Sequence, residues 1–348
     1  AQMEYVRRHK KIVLIGLILL AVFTVIFGFQ RKSVMEQSVE DELKDEPREE
    51  TVKSAEFYLD QLTKKEMEVY LFLKDQIEQF QGGILTLPKA VNGKEYERIT
   101  VALEYEGYNY FYGFVDIPMN EDNVYLLNDE KDFSKITEDE ITKVVLFLSC
   151  ASGIETPGEI ADDGTLKNAE EIQKGLSVND EEKIVKIKEK QEETERVLSE
   201  IIDGIPENSG QKSTVDYFLK WLDQEMKVPD DTVTTASELS HMGEMLEQVY
   251  LQNHLVAVTE KKASVLGYAK IFSELCRRAG MDSHVVMGHW NGKWSQDEQY
   301  VLCAVKIGDQ TVYVDASGAK SSSLAGHRYL SEKEAKNRLA FADCFQYD

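Results

Sequence analysis

The 348-residue chain carries 63 acidic and 40 basic residues, a formal net charge of −23 that repels phosphate backbones and argues against nucleic acid as a partner. A hydrophobic content of 42% with 9% aromatics is enough to bury a core, which excludes wholesale disorder. The length suits two modest domains, or one domain and a stalk.

The first strong signal is the run IVLIGLILLAVFTVIFGF from Ile12 to Phe29, uncharged and long enough to cross a hydrocarbon core. Arg7, Arg8, His9, Lys10 and Lys11 precede it, whereas only Arg31 and Lys32 follow before a long acidic stretch. The larger basic cluster predicts a cytoplasmic tip at 1–11, a transmembrane helix at 12–29 and everything beyond about Lys32 outside the cell. Phe27-Gly28-Phe29-Gln30 offers no small-x-small cleavage site, so an anchor is favoured over a cleaved signal.

Residues 30–52 are charged, aromatic-free between Ser33 and Val52, and contain Pro47, which predicts a solvated acidic stalk or loose helix. A small α/β region is expected over 53–152. It starts with a helix that places Phe57, Leu62, Met67, Tyr70, Leu71, Leu73 and Ile77 at helical spacing and breaks at Gly82-Gly83. The runs 99–105 and 110–117 read as strands around a turn at Glu106-Gly107. Segment 136–148 reads as a helix, with Thr137 as N-cap and Glu140 three residues on. The aromatics Tyr105, Tyr108, Tyr110, Phe111, Tyr112 and Phe114 fit one half-buried sheet face, with a binding face as the alternative.

Residues 153–209 predict a glycine- and acid-rich linker, then a charged helix from Asn179 to Ile202 ended by Gly204-Ile205-Pro206. A final domain runs over 210–348. Of the four cysteines, Cys150, Cys276, Cys303 and Cys344, none belongs to a CxxC pair. Structural zinc is therefore not expected, and both two disulfides and buried thiols stay open.

Within that final domain, KASVLGYAKIF (Lys262 to Phe272), then SELCRRAGMDSHVVMG, then VKIGDQTVYVDAS (305–317) occur in order. The series resembles bacterial transglutaminase-like domains of the cysteine-protease superfamily. It rests on Lys262, Ala263, Gly267, Tyr268, Ala269, Lys270, Phe272, Leu275, Ala279, Gly280, Val285, Val286, Gly288 and Asp315. STVDYFLKWLDQEM (213–226) resembles the helix before the catalytic core. The resemblance covers roughly 210–317 and implies an α+β, papain-like fold with a central helix on an antiparallel sheet, acting without a cofactor. It also implies a triad: a cysteine at the start of the central helix, a histidine on an adjacent strand and a carboxylate that orients it.

By that resemblance the cysteine position falls on Val265 and the histidine position on Tyr300, leaving only Asp315. A valine cannot attack a carbonyl, and a tyrosine of ordinary pKa, about 10, is a poor base at neutral pH. Ser264 reads as a helix cap, Cys276 as a buried apolar thiol, and Cys303 as a core thiol or half of a disulfide. Being three residues from Tyr300 on one strand, Cys303 should point to the opposite face. His289, in a Gly/Trp loop, is a weak substitute base, and His284 reads as solvated or hydrogen-bonded. His241, His254 and His327 have no evident partner. Ser264, Tyr268, His289, Trp290 and Trp294 are the candidates to line the inherited cleft, with no metal site.

The expected function is that of a catalytically inactive transglutaminase-like ectodomain, a membrane-tethered module that binds an envelope protein, a peptide or a wall fragment, with a Gram-positive flavour. Two alternatives stand beside it: an active thiol protease or amide transferase with a relocated nucleophile, and a structural subunit of an envelope complex.

Overall fold

A computed structural model describes residues 39–48, 56–107, 114–123, 125, 133–148, 181–228, 253–290, 299–318, 328–341 and 343–347. The expected tip and membrane span lie outside the described residues, as do most of the linker and Cys150. Among the described residues no helix is long and apolar enough to cross a membrane. The chain divides into two compact units: one contains Gln61–Glu189, and the other contains Lys190–Thr232 and Leu251–Asp348 together with Thr24–Asp60. Among the described residues, then, the first unit is enclosed in sequence by the second. This departs from the expected succession of stalk, α/β region and final domain.

The first unit starts with helix α1 (Lys64–Glu78). Thr63 caps it, accepting from the Glu66 amide while the Glu66 carboxylate accepts from the Thr63 amide. Val69, Tyr70, Leu73 and Ile77 form its buried stripe. Glu66 is only 2% exposed but is paired, its carboxylate 2.8 Å from Arg98 Nε. β1 (Gly83–Val91), β2 (Phe114–Met119) and β3 (Ile141–Leu148) make a three-stranded antiparallel sheet in the order β1-β3-β2.

Two expectations fail in this unit. The segment 99–105 is helix α2 (Gly93–Ala102) running into a π-helical turn at Leu103–Gly107, not a strand. Asn92 and Glu95 form a second reciprocal capping box, and Tyr96, Ile99, Ala102 and Leu103 bury one face. That face outweighs the strand preference of Ile99, Thr100 and Val101. Conversely, 141–148 is the central strand, not a helix. Ile141, Val144, Val145, Leu146 and Leu148 are all buried, the continuous apolar pattern of a strand paired on both edges. Of the expected aromatic face, Tyr105 is buried in the π turn, Phe114 opens β2, and 108–113 lie outside the described residues.

Helix α3 (Glu181–Asp203) matches the expected charged helix, with Ile187, Leu198 and Ile201 buried. In the second unit, α4 (Gln211–Glu225) packs on α6 (Val265–Arg278), with the short α5 (Ala257–Glu260) between them in sequence. A five-stranded antiparallel sheet has the order β7-β6-β5-β4-β8, from β4 (Ser283–Trp290), β5 (Gln299–Ile307), β6 (Gln310–Val314), β7 (Tyr329–Ser331) and β8 (Leu339–Phe341). α6 lies against β4 and β5. The other sheet face carries Val286, Tyr300, Leu302, Ala304, Tyr313 and Leu330, closed by Ala335 of α7 (Glu332–Arg338) and by Leu339. The α+β architecture with a helix on an antiparallel sheet is therefore present.

The described part of the expected stalk, 39–48, belongs to this unit rather than standing free. Val39 is buried in a 3-10 turn, and Asp45 and Glu46 accept from the Ser213 and Gln211 amides at 2.9 and 2.7 Å. Further on, Tyr58 donates to the Val285 carbonyl, and Phe57 stacks on His284 with ring centroids 3.7 Å apart.

Candidate functional site

α6 starts where Ser264 takes an extended conformation and its hydroxyl oxygen accepts from the Gly267 amide at 3.2 Å. The same hydroxyl donates to Asn253 Oδ1 at 2.5 Å. Ser264 is thus the expected cap, committed on both sides and buried. Val265 follows as the first residue of the helix, half-buried. Its position would favour a thiolate through the helix dipole, but an isopropyl group has no ionisable atom to stabilise.

Tyr300 and Asp315 do meet. The Tyr300 hydroxyl donates to Asp315 Oδ2 at 2.7 Å, with both side chains buried. Asp315 follows the end of β6, and its other oxygen, Oδ1, is filled locally. It accepts from the Ser317 amide at 3.0 Å, the Ser317 hydroxyl at 2.6 Å and the Gly318 amide at 3.2 Å. Three donors thus converge on Oδ1 and one, the Tyr300 hydroxyl, on Oδ2. Gly318 sits at φ +61°, and a Cβ there would meet the Arg328 guanidinium at 2.9 Å. Arg328 in turn donates to the Asp315 and Ala316 carbonyls and pairs with Asp223 of α4.

Strand parity works as expected. Cys303 Sγ donates to the Ala269 carbonyl of α6 at 3.1 Å, while Tyr300 belongs to the cluster on the other sheet face. The β4–β5 register is unbroken from Ser283↔Val305 to His289↔Gln299. Burial pushes the thiols of Cys276 and Cys303 up, well above their ordinary range, so both stay protonated. Cys276, Cys303 and Cys344 are buried, and Cys276 and Cys303 are free thiols rather than a disulfide.

Several candidates sit differently from expectation. Tyr268 does not line an open cleft: it is fully buried on α6, and burial, then the nearby Asp223, raises its pKa. Ser264 is likewise enclosed. His289 and Trp290 are the last residues of β4, paired with Gln299, Ala340 and Leu339, not part of a loop. Gly288 permits this, because β8 approaches so closely that a Cβ would lie 3.0 Å from that of Leu339. Trp294, His241 and His327 lie outside the described residues.

His284 is half-buried beneath Phe57, and burial holds its pKa down at about 3. His254 has a partner that the sequence did not name: Lys270 Nζ lies 3.4 Å from its Nδ1, and burial followed by that ammonium keeps the imidazole neutral. Among the described residues no group of His, Cys, Asp and Glu is arranged to hold a metal ion.

No protein-family model and no curated protein matches the chain. Among solved structures it is similar to a candidate cysteine protease from Cytophaga hutchinsonii, with 14% identity, TM-score 0.27, and coverage of 44% of this chain and 55% of that one. It is also similar to a structure described as a TGase, with 14% identity, TM-score 0.28, and coverage of 56% of this chain and 46% of that one. The chain spans about half the length of each. Likeness at that level carries no argument.

Proposed function

We propose that the chain is a catalytically inactive transglutaminase-like ectodomain, held at a bacterial cell envelope by the segment 12–29 and serving as a binding or scaffolding module. The observation that carries the inactive part is the state of Asp315. Its Oδ2 accepts from the Tyr300 hydroxyl and its Oδ1 from Ser317 and Gly318, so the side chain bonded at this carboxylate is a phenol where the resemblance expects an imidazole. The helix start that would activate a thiolate bears Val265, and the nearest hydroxyl, Ser264, is spent on capping. Relocation of the nucleophile to Cys276 or Cys303 is disfavoured, since both are buried and protonated.

The test uses the chain from Ser33 onward, incubated with a glutamine-containing peptide and a primary amine, and separately with iodoacetamide. The expected results are no amide transfer, no hydrolysis and no native-state labelling of Cys276 or Cys303. Turnover abolished by alkylation would establish the thiol-enzyme alternative instead. Binding is read with purified wall fragments and solubilised envelope proteins as baits; retention of neither would end the module reading.

A further inference from the structure

We propose that Val39–Arg48 is an intrachain clasp whose seating over Gly210 sets the order of the rim, formed by α4 and β7, that holds Asp315. The clasp is made almost entirely of directed bonds. Asp45 Oδ1 accepts from the Ser213 amide at 2.9 Å, and the Glu46 carbonyl accepts from the Gln211 amide at 2.7 Å. The Gln211 side chain donates to the Pro47 carbonyl at 3.3 Å and accepts from the Gly308 amide at 2.6 Å, while Arg48 Nε donates to the Ser209 carbonyl at 3.2 Å.

These bonds supply acceptors to the first turn of α4, which Gly210 itself cannot cap by a side chain. Gly210 is also where the clasp comes closest. A Cβ there would lie 2.5 Å from Asp45 Oδ1 and 2.6 Å from the Glu46 carbonyl oxygen.

From the clasp a continuous path leads to Asp315. Glu40 lies 3.7 Å from Lys212 Nζ; Lys212 pairs with Asp216 at 2.7 Å and stands 5.4 Å above the Tyr329 ring. Tyr329 donates to Asp216 at 2.6 Å. β7, which carries Tyr329, is preceded by Arg328, whose carbonyl accepts from the Asp315 amide at 3.0 Å. The segment Val39–Arg48 therefore reaches the backbone of Asp315 through four side chains. This coupling does not depend on whether 12–29 spans a bilayer, so it and the proposed function can fail separately.

Gly210→Ala is the direct perturbation. The backbone there, φ −80° and ψ −167°, accepts alanine, but the added methyl occupies the place of Asp45 and Glu46. On the chain from Ser33 onward, amide hydrogen exchange is expected to speed up about fivefold or more at 211–215, 315–318 and 329–331, as for loss of a helix cap, with 268–276 unchanged. Asp45→Ala should act on the same segments, and Asp45→Ser, which keeps an acceptor oxygen, should restore most of the protection. Unchanged exchange at 315–318 and 329–331, or acceleration spread evenly over the unit, would overturn the proposal. If Gly210→Ala fails to fold, the Asp45 pair gives the same reading.

Discussion

Replacing Tyr300 by Phe removes one atom from the buried pair and tests whether that pair is a structural lock. The lost bond is a 2.7 Å donation to a carboxylate, between side chains 4% and 3% exposed. Hydrogen bonds to charged groups are worth about 1.5–3 kcal/mol. Asp315 keeps the Ser317 and Gly318 donors, so it is not stranded, and Phe keeps the ring among Val286, Leu302 and Tyr313. The lower part of the range applies: about 1.5–2 kcal/mol, a 10- to 30-fold increase in the opening equilibrium of the second unit. Pulsed thiol labelling of Cys303 in graded urea, read by mass spectrometry, measures that equilibrium, because Cys303 is wholly buried in the native fold. A loss below about 0.5 kcal/mol would refute the lock, and a loss above about 4 would point to a collapsed cavity rather than a missing bond.

Val265→Cys places a thiol at the first residue of α6; it should be alkylated by iodoacetamide in the native protein while Cys276 and Cys303 are spared, yet give no amide transfer, as mapped by peptide mass spectrometry. Asp116, bonded to Tyr96, has its pKa raised by burial to about 6 from 3.8, so the native first unit binds the extra proton between those values. Its stability should therefore fall by about 2 kcal/mol as pH rises from about 4 to 6.5, and Asp116→Asn should flatten that slope in urea titrations across the interval. Gly93→Ala would put a Cβ 1.8 Å from the Phe133 carbonyl oxygen, so α2 must shift; a loss of roughly 3 kcal/mol or more in urea unfolding of the first unit is expected.

The sequence revealed most where local chemistry and tertiary demand agree. The stripe of α1 and the cap at Ser264 were legible because spacing and capping residue point the same way. The same local grammar misled at Thr137 and Glu140, which mimic a capping box before a run that the three-stranded sheet claims as its central strand. It is outweighed in sequence at Asn92 and Glu95, where Ile99, Thr100 and Val101 speak for a strand and only the buried face decides. At the site, the loss of thiol and imidazole was readable from residue identities. The filling of Asp315 was not, because its donors at Ser317 and Gly318 depend on a turn fixed by Arg328. The docking of 39–48 was equally hidden: its polar contacts with 209–213 span 161 to 172 residues of sequence, and nothing in an acidic, aromatic-free segment signals a distant partner.

That separation bears on how the chain is made. A ribosome delivers 39–48 and 56–60 before the described residues of the first unit, and only much later α4, α6 and the sheet that these segments contact. The three strands of the first unit need nothing downstream of Leu148 to pair, so that sheet can form while the second unit is still partly unsynthesised. The second unit must keep its earliest piece waiting and close a long loop at the end, an entropic cost that grows only slowly with the length enclosed. Lengthening or replacing the first unit should thus burden assembly far less than clipping the ten residues from Val39 to Arg48.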